Sequence, residues 1–164
     1  GKSNIDTYGQ HSVFYENNIL GLFDNHTLDI YSIDCEKIDN IYSSAILFEI
    51  NGNQYKSVLK FSNNKKYLSP YLSSFNKLEN NNYLVNYGYV IDKEEFKRVN
   101  CNFDYYVKEP ETVIFEIDEN GNVLFEGSID EMSKQFAYKN NFYNYGIKNF
   151  SVERYIYYEN EEVL

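Results

Sequence analysis

The sequence predicts an α+β fold, a largely antiparallel β-sheet with two or three short helices on one face. Three observations predict it. Tyr and Phe number 18 and 12 while Trp is absent, and aromatic side chains favour the pleated, half-buried surface of a strand. Asn-Gly pairs at 51–52 and 120–121 each separate alternating apolar runs, the strongest short-range signal for a tight hairpin. Most candidate strands alternate with period two, as strands do in an antiparallel sheet with one solvated face.

Taken in order, His11 to Tyr15 and Ile19 to Phe23 read as two short strands joined at the turn-prone Glu16-Asn17-Asn18. Leu28, Ile30 and Ser32 share one face of a further strand. Ile46, Phe48 and Ile50 alternate before Asn51-Gly52-Asn53, and Tyr55, Leu59 and Phe61 alternate after it. Lys56 and Lys60 then project together from the opposite, solvated face. Ser69-Pro70 predicts a helix start, with Leu72, Phe75 and Leu78 as its apolar stripe. Tyr83, Val85, Tyr87, Tyr89 and Ile91 return to period two. Asp92 and Glu95 form a capping box over a brief helix through Val99.

Phe103, Tyr105 and Val107 suggest another strand stopping near Pro110. Thr112 to Ile117 returns through Val123 to Glu126, with Asn120-Gly121 at the tip. Ser128 and Glu131 read as a second capping box, opening a helix with Ile129, Met132 and Phe136 inward. Phe150 to Tyr158 closes the chain as a strand, with helical spacing as the alternative.

No repeat, linker or low-complexity boundary divides residues 1–164, so a single domain is expected. A chain of this length buries about 70% of its unfolded surface and needs no staple. The two cysteines, Cys35 and Cys101, therefore read as reduced thiols in a cytosol. No apolar run is long enough to span a membrane, and no signal peptide is evident, which points to a cytoplasmic protein. The first residue is Gly1 and not Met, which reads as a trimmed chain.

The net charge of −10 argues against nucleic acid as the main ligand. Its distribution is polarised: residues 83–164 carry 16 acids against 8 bases, and residues 1–82 carry 9 against 7. Between Glu49 and Glu79 there are five lysines and no acid. That stretch interleaves lysine with aromatics, as single-strand binders do, but it also fits a solvated strand face and a polar loop.

His26 with Asp29, near Ser32 and Cys35, is the nearest approach to a catalytic cluster, since a Cys/His pair must lie within hydrogen-bond reach. The plainer reading is a strand-edge histidine and a small buried cysteine. Neither histidine makes a zinc spacing with a cysteine. Asp118 to Asn122 lacks the glycine and glutamate positions of an EF-hand and reads as a hairpin tip. No catalytic residue, cofactor or metal is expected.

The acidic segment is the better functional candidate. Asp104, Tyr105, Tyr106, Glu109, Glu111, Glu116, Asp118, Glu119 and Glu126 place carboxylates among tyrosines. Carboxylates steer a basic partner, and tyrosines anchor it. In size, acidity, Asn/Tyr-rich composition and lack of catalytic motifs, the chain is similar to small bacterial immunity proteins of polymorphic or contact-dependent toxin systems. The resemblance implies a non-enzymatic inhibitor that binds a basic, nuclease-like toxin domain one to one. An extracellular β-rich adhesin or carbohydrate-binding domain is the alternative.

Overall fold

The computed structural model describes residues 9–27, 35–108 and 111–129. Among these residues, eight strands form two four-stranded antiparallel sheets, each a meander whose strands lie side by side in chain order. The first sheet holds β1 (Gln10–Glu16), β2 (Ile19–Asp24), β3 (Ser44–Asn51) and β4 (Gln54–Phe61). The second holds β5 (Ser74–Lys77), β6 (Tyr83–Val90), β7 (Glu111–Ile117) and β8 (Val123–Ile129). Among the described residues, a short helix, α1 (Lys93–Arg98), and the 3₁₀ segments Cys35–Asn40 and Phe103–Tyr105 lie in the connections. The β-rich, antiparallel expectation holds. A helical layer over one face does not form among the described residues, because the helical pieces sit in loops.

The turns follow from residue chemistry. Asn17 and Asn18 both take positive φ, at 50° and 65°, which matches the twist of the flanking β1 and β2. Gly52, at φ 58°, turns β3 into β4, with Asn51 and Gln54 paired across the loop. Gly121, at φ 82°, serves the β7–β8 turn. There the Asp118 carboxylate accepts from the backbone N–H groups of Asn120 and Asn122.

The sheets pack face to face. Phe23, Ala45, Leu47 and Phe61 of the first meet Phe75, Tyr83, Val85, Tyr87, Val113, Phe115 and Ile117 of the second. Edge-to-face ring pairs cross this seam, with Phe23–Tyr87 centroids 5.1 Å apart and Phe61–Phe115 centroids 5.3 Å apart, a geometry that adds to plain burial. The leading strands are also stitched directly. Ser12 Oγ accepts from Phe75 N–H and donates to Phe75 C=O, both at 3.2 Å. A satellite core of Ile38, Leu68, Ile91 and Phe96 joins the first 3₁₀ segment to α1.

Several sequence expectations are corrected. Bulges interrupt the alternation. Phe48 pairs with Ser57 and Leu47 with Leu59, leaving Val58 as an extra residue. Tyr55 therefore packs against Phe48 on the outer face, while Leu59 and Phe61 turn to the core. Lys56 and Lys60 consequently leave the strand on opposite faces, paired with Glu49 and Ile46. A second bulge after Tyr87 sends Val90 to the main core and Ile91 to the satellite.

Ser69-Pro70 starts no helix. Ser69 is held in a side-chain network, Leu72 takes a φ of 58°, and Phe75 lies in β5. Phe103 and Tyr105 lie in a 3₁₀ turn and not a strand, since the Asn102 side chain caps it by accepting from Asp104 N–H. Ser128 lies within β8, which runs on to Ile129. Asp92 does cap α1, accepting from the N–H groups of Glu94 and Glu95. The expected strand at Leu28, Ile30 and Ser32, the helix through Met132 and Phe136, and the closing strand lie outside the described residues.

Cys35 and Cys101 form a disulfide with Cα atoms 5.7 Å apart, correcting the reduced-thiol expectation. Counting cysteines could not reveal this, because the bond depends on how α1 ends. Asn100 and Cys101 take φ of 50° and 53°, and Cys101 N–H returns to Phe96 C=O. That turn carries Cys101 back to the 3₁₀ segment. No helix among the described residues is long and apolar enough to cross a membrane.

Candidate functional site

β2 ends at Asp24, whose side chain is fully buried. Its Oδ1 accepts from the backbone N–H of His26, and its Oδ2 lies 3.1 Å from His26 Nε2. This is a two-residue Asx turn that folds the imidazole back onto its own carboxylate. It requires His26 to adopt a positive φ of 54°, an uncommon conformation for a side-chain-bearing residue and one that clusters at functional sites. The imidazole remains partly open, at 17% exposure. A carboxylate held beside an imidazole orients the ring, an arrangement suited to proton transfer.

The corner is rigid because the residues on both sides of His26 are tied down. Asn25 Nδ2 donates to Ser69 C=O at 2.6 Å and to Ser73 Oγ at 3.0 Å. Ser43 Oγ donates to Asn25 C=O and accepts from Ser69 N–H. Ser69 Oγ lies 2.9 Å from Ser73 Oγ and accepts from Tyr89 N–H. Thr27 Oγ1 donates to Pro70 C=O at 2.7 Å. The β2 corner, the start of β3 and the approach to β5 are thereby fixed together, which holds a functional side chain in register.

Positive charge gathers beside this corner. The Tyr42 ring lies 6.2 Å from the His26 ring. Lys60 Nζ and Lys65 Nζ stand 5.2 Å and 5.3 Å from the centre of the same Tyr42 ring. Lys65 is presented by a left-handed turn in which Asn63, Asn64 and Lys65 take φ of 42°, 56° and 63°.

The acidic residues singled out by sequence are dispersed. Tyr105 is exposed, whereas Tyr106 packs on Phe96 and its hydroxyl accepts from Asp92 N–H. Burial raises the Tyr106 phenol pKa. Glu116 is buried and accepts from Asn82 Nδ2 at 2.7 Å. Asp118 is occupied by its own turn, and the Asn122 side chain lowers its pKa. Glu116 pairs with Phe125 and Glu126 with Phe115, so these two carboxylates leave the second sheet on opposite faces. Asp104, Glu111 and Glu119 are exposed, and Glu109 lies outside the described residues.

Asp29 and Ser32, the expected companions of His26, also lie outside the described residues. Cys35 is unavailable as a nucleophile because it is bonded to Cys101. Sequence reasoning overlooked Asp24 and Tyr42. The signal for Asp24 was an acid two residues before the histidine at a strand end. Tyr42 carried no local signal.

A family model described as Arylsulfotransferase (ASST) matches residues 2–140. The chain belongs to that family. No curated protein and no solved structure matches it. Membership of an enzyme family overturns the expectation of a protein without catalytic activity.

Proposed function

We propose that the chain takes part in sulfuryl transfer from an aryl sulfate to a phenolic acceptor, with His26 as the proton-transfer group and Asp24 as its positioning residue. The observation that carries this reading is the buried Asp24 carboxylate, 3.1 Å from His26 Nε2 at a pinned corner. The family match supplies the reaction class. The His26 imidazole accepts the proton of the acceptor phenol. The resulting phenoxide oxygen forms a bond to sulfur as the bond from sulfur to the donor aryl oxygen breaks. The imidazolium returns its proton to the departing aryloxide, so one phenol is consumed and one released. Asp24 stabilises the imidazolium between those events.

The test is release of nitrophenol from 4-nitrophenyl sulfate with and without an added phenol. Release that depends on acceptor is expected, falling about 10²- to 10⁴-fold in His26→Gln, the usual contribution of general acid–base catalysis. Acceptor-independent release, or an unchanged His26→Gln rate, refutes the proposal. Binding of a basic protein partner rests on net charge, and no single observation at this site favours it.

A further inference from the structure

Two edge strands lie open on one side of the molecule. β4 ends the first sheet and β8 ends the second, and neither has a strand beyond it among the described residues. The sheets are stacked in the same sense. Ser12 of β1 is bonded to Phe75 of β5. Phe61 of β4 meets Phe115 of β7, and Tyr67, just past β4, donates to Glu126 of β8 at 3.4 Å. β4 and β8 therefore share the side opposite β1 and β5. Both carry apolar side chains into solvent: Tyr55 and Val58 on β4, and Val123, Leu124 and Phe125 on β8, are between 41% and 56% exposed. An open, apolar edge is a template for strand addition. Val13 and Tyr15 of β1 are exposed as well. That edge, however, is interrupted at Ser12, φ 51°, whose hydroxyl is committed to Phe75.

Charge selects the strand that fits each edge. Residues 54–66, β4 and the loop after it, hold Lys56, Lys60, Lys65 and Lys66 and no acid. The β7–β8 hairpin, residues 111–129, holds five carboxylates and no base. Lys56, Lys60, Glu119 and Glu126 are all exposed. β4 facing a second β4 sets lysine against lysine, and β8 facing a second β8 sets carboxylate against carboxylate, both unfavourable across a strand pair. β4 facing β8 sets lysine against carboxylate.

We infer that the β4 and β8 edges form one self-complementary interface for a second copy of this chain, β4 of each copy pairing with β8 of the other. A two-fold axis parallel to the strands achieves this for both sheets at once. It turns the stack over, so the first sheet of one copy continues into the second sheet of its partner. Each contact then occurs twice, which closes the assembly at two copies. Regular runs remain on both edges, residues 54–57 ahead of the extra Val58 in β4 and residues 125–129 beyond the extra Leu124 in β8. Backbone hydrogen bonds along those runs supply affinity, and the lysine–carboxylate contacts select the partner edge. Covering the exposed apolar side chains adds to both.

Sedimentation equilibrium of the full chain across a dilution series tests this. The mass should rise from 19.5 kDa toward twice that value and no further, and association should weaken as sodium chloride is added. Lys56→Glu/Lys60→Glu should weaken association at least about tenfold, because carboxylates then face carboxylates. Glu119→Lys/Glu126→Lys should do the same. All four substitutions in one chain restore opposite charges across each pair, so that chain should associate as the parent does. Phe125→Ser removes an exposed ring and should weaken association at least about tenfold without any charge change, which keeps the test decisive where a reversed chain fails to fold. A parent that stays at 19.5 kDa overturns the interface, as does unchanged association in Phe125→Ser. Association unchanged by reversal of one edge overturns the β4–β8 pairing, since like edges paired together remain like-charged after reversal. A mass that grows past two copies overturns the closed two-fold arrangement.

Discussion

Breaking the Cys35–Cys101 bond tests how much of the native state depends on a link that composition argued against. The two cysteines are separated by 66 residues. Freeing a loop of that length returns conformational entropy to the unfolded chain worth about 4 kcal/mol at 25 °C. Against total stabilities of about 5–15 kcal/mol for a domain, that is a large share. Replacing both cysteines also loosens the satellite core, because Cys101 packs against the Ile38, Leu68, Ile91 and Phe96 cluster.

The assay is urea unfolding followed by circular dichroism, on oxidised protein, on protein refolded with reductant, and on Cys35→Ser/Cys101→Ser. With a slope of about 2 kcal/mol per molar urea, the midpoint should fall by about 2 M on reduction. The melting temperature should drop by about 8–16 °C. The double serine variant should fall at least as far as the reduced protein and ignore reductant. Coincident midpoints for oxidised and reduced protein, or two alkylatable thiols in the native state, would refute the reasoning.

Three further outcomes are expected. The Tyr87 hydroxyl is buried without a hydrogen-bond partner among the described residues, and burial raises its pKa far above the ordinary tyrosine value. Tyr87→Phe should therefore cost nothing at neutral pH and add up to about 1 kcal/mol. A raised pKa keeps its stabilisation below the unfolded value and loses it as pH rises. Above pH ~10 the parent should thus lose about 1.4 kcal/mol per pH unit relative to Tyr87→Phe, whereas parallel alkaline unfolding curves would count against this account. A Cβ on Gly88 would meet Leu72 C=O at 1.7 Å, so Gly88→Ala should destabilise by about 1–3 kcal/mol in the same urea assay. Asp92→Ala should cost about 1 kcal/mol through the lost cap of α1. Its pKa is lowered chiefly by the hydrogen bond from Lys108, so the cost relative to the parent should shrink as pH falls through the carboxylate range.

What was legible in the sequence was local. The hairpin turns could be read because Asn17-Asn18, Asn51-Gly52 and Asn120-Gly121 place permissive residues where positive φ is needed. The cap at Asp92 was readable for the same reason. The faces were readable only as far as the next bulge. An extra residue at Val58 reverses every later side chain in β4, and no residue type announces it. The disulfide and the Tyr42–lysine group join positions far apart in the chain, which pattern alone cannot bring together. The Asp24–His26 pair was close in sequence but depended on a left-handed histidine that steric preference argues against.

Each meander pairs only neighbouring strands in chain order, and that has a consequence during synthesis. The last strand of the first sheet ends at Phe61, so all of that sheet's strands leave the ribosome ahead of every strand of the second. Phe23, Ala45, Leu47 and Phe61 then present an apolar surface on which the second sheet condenses. Pairing neighbours in chain order keeps the loop-closure cost of each step below that of a crossover between sheets. Assembly in this order spares the ribosome-bound chain from searching for distant strand partners.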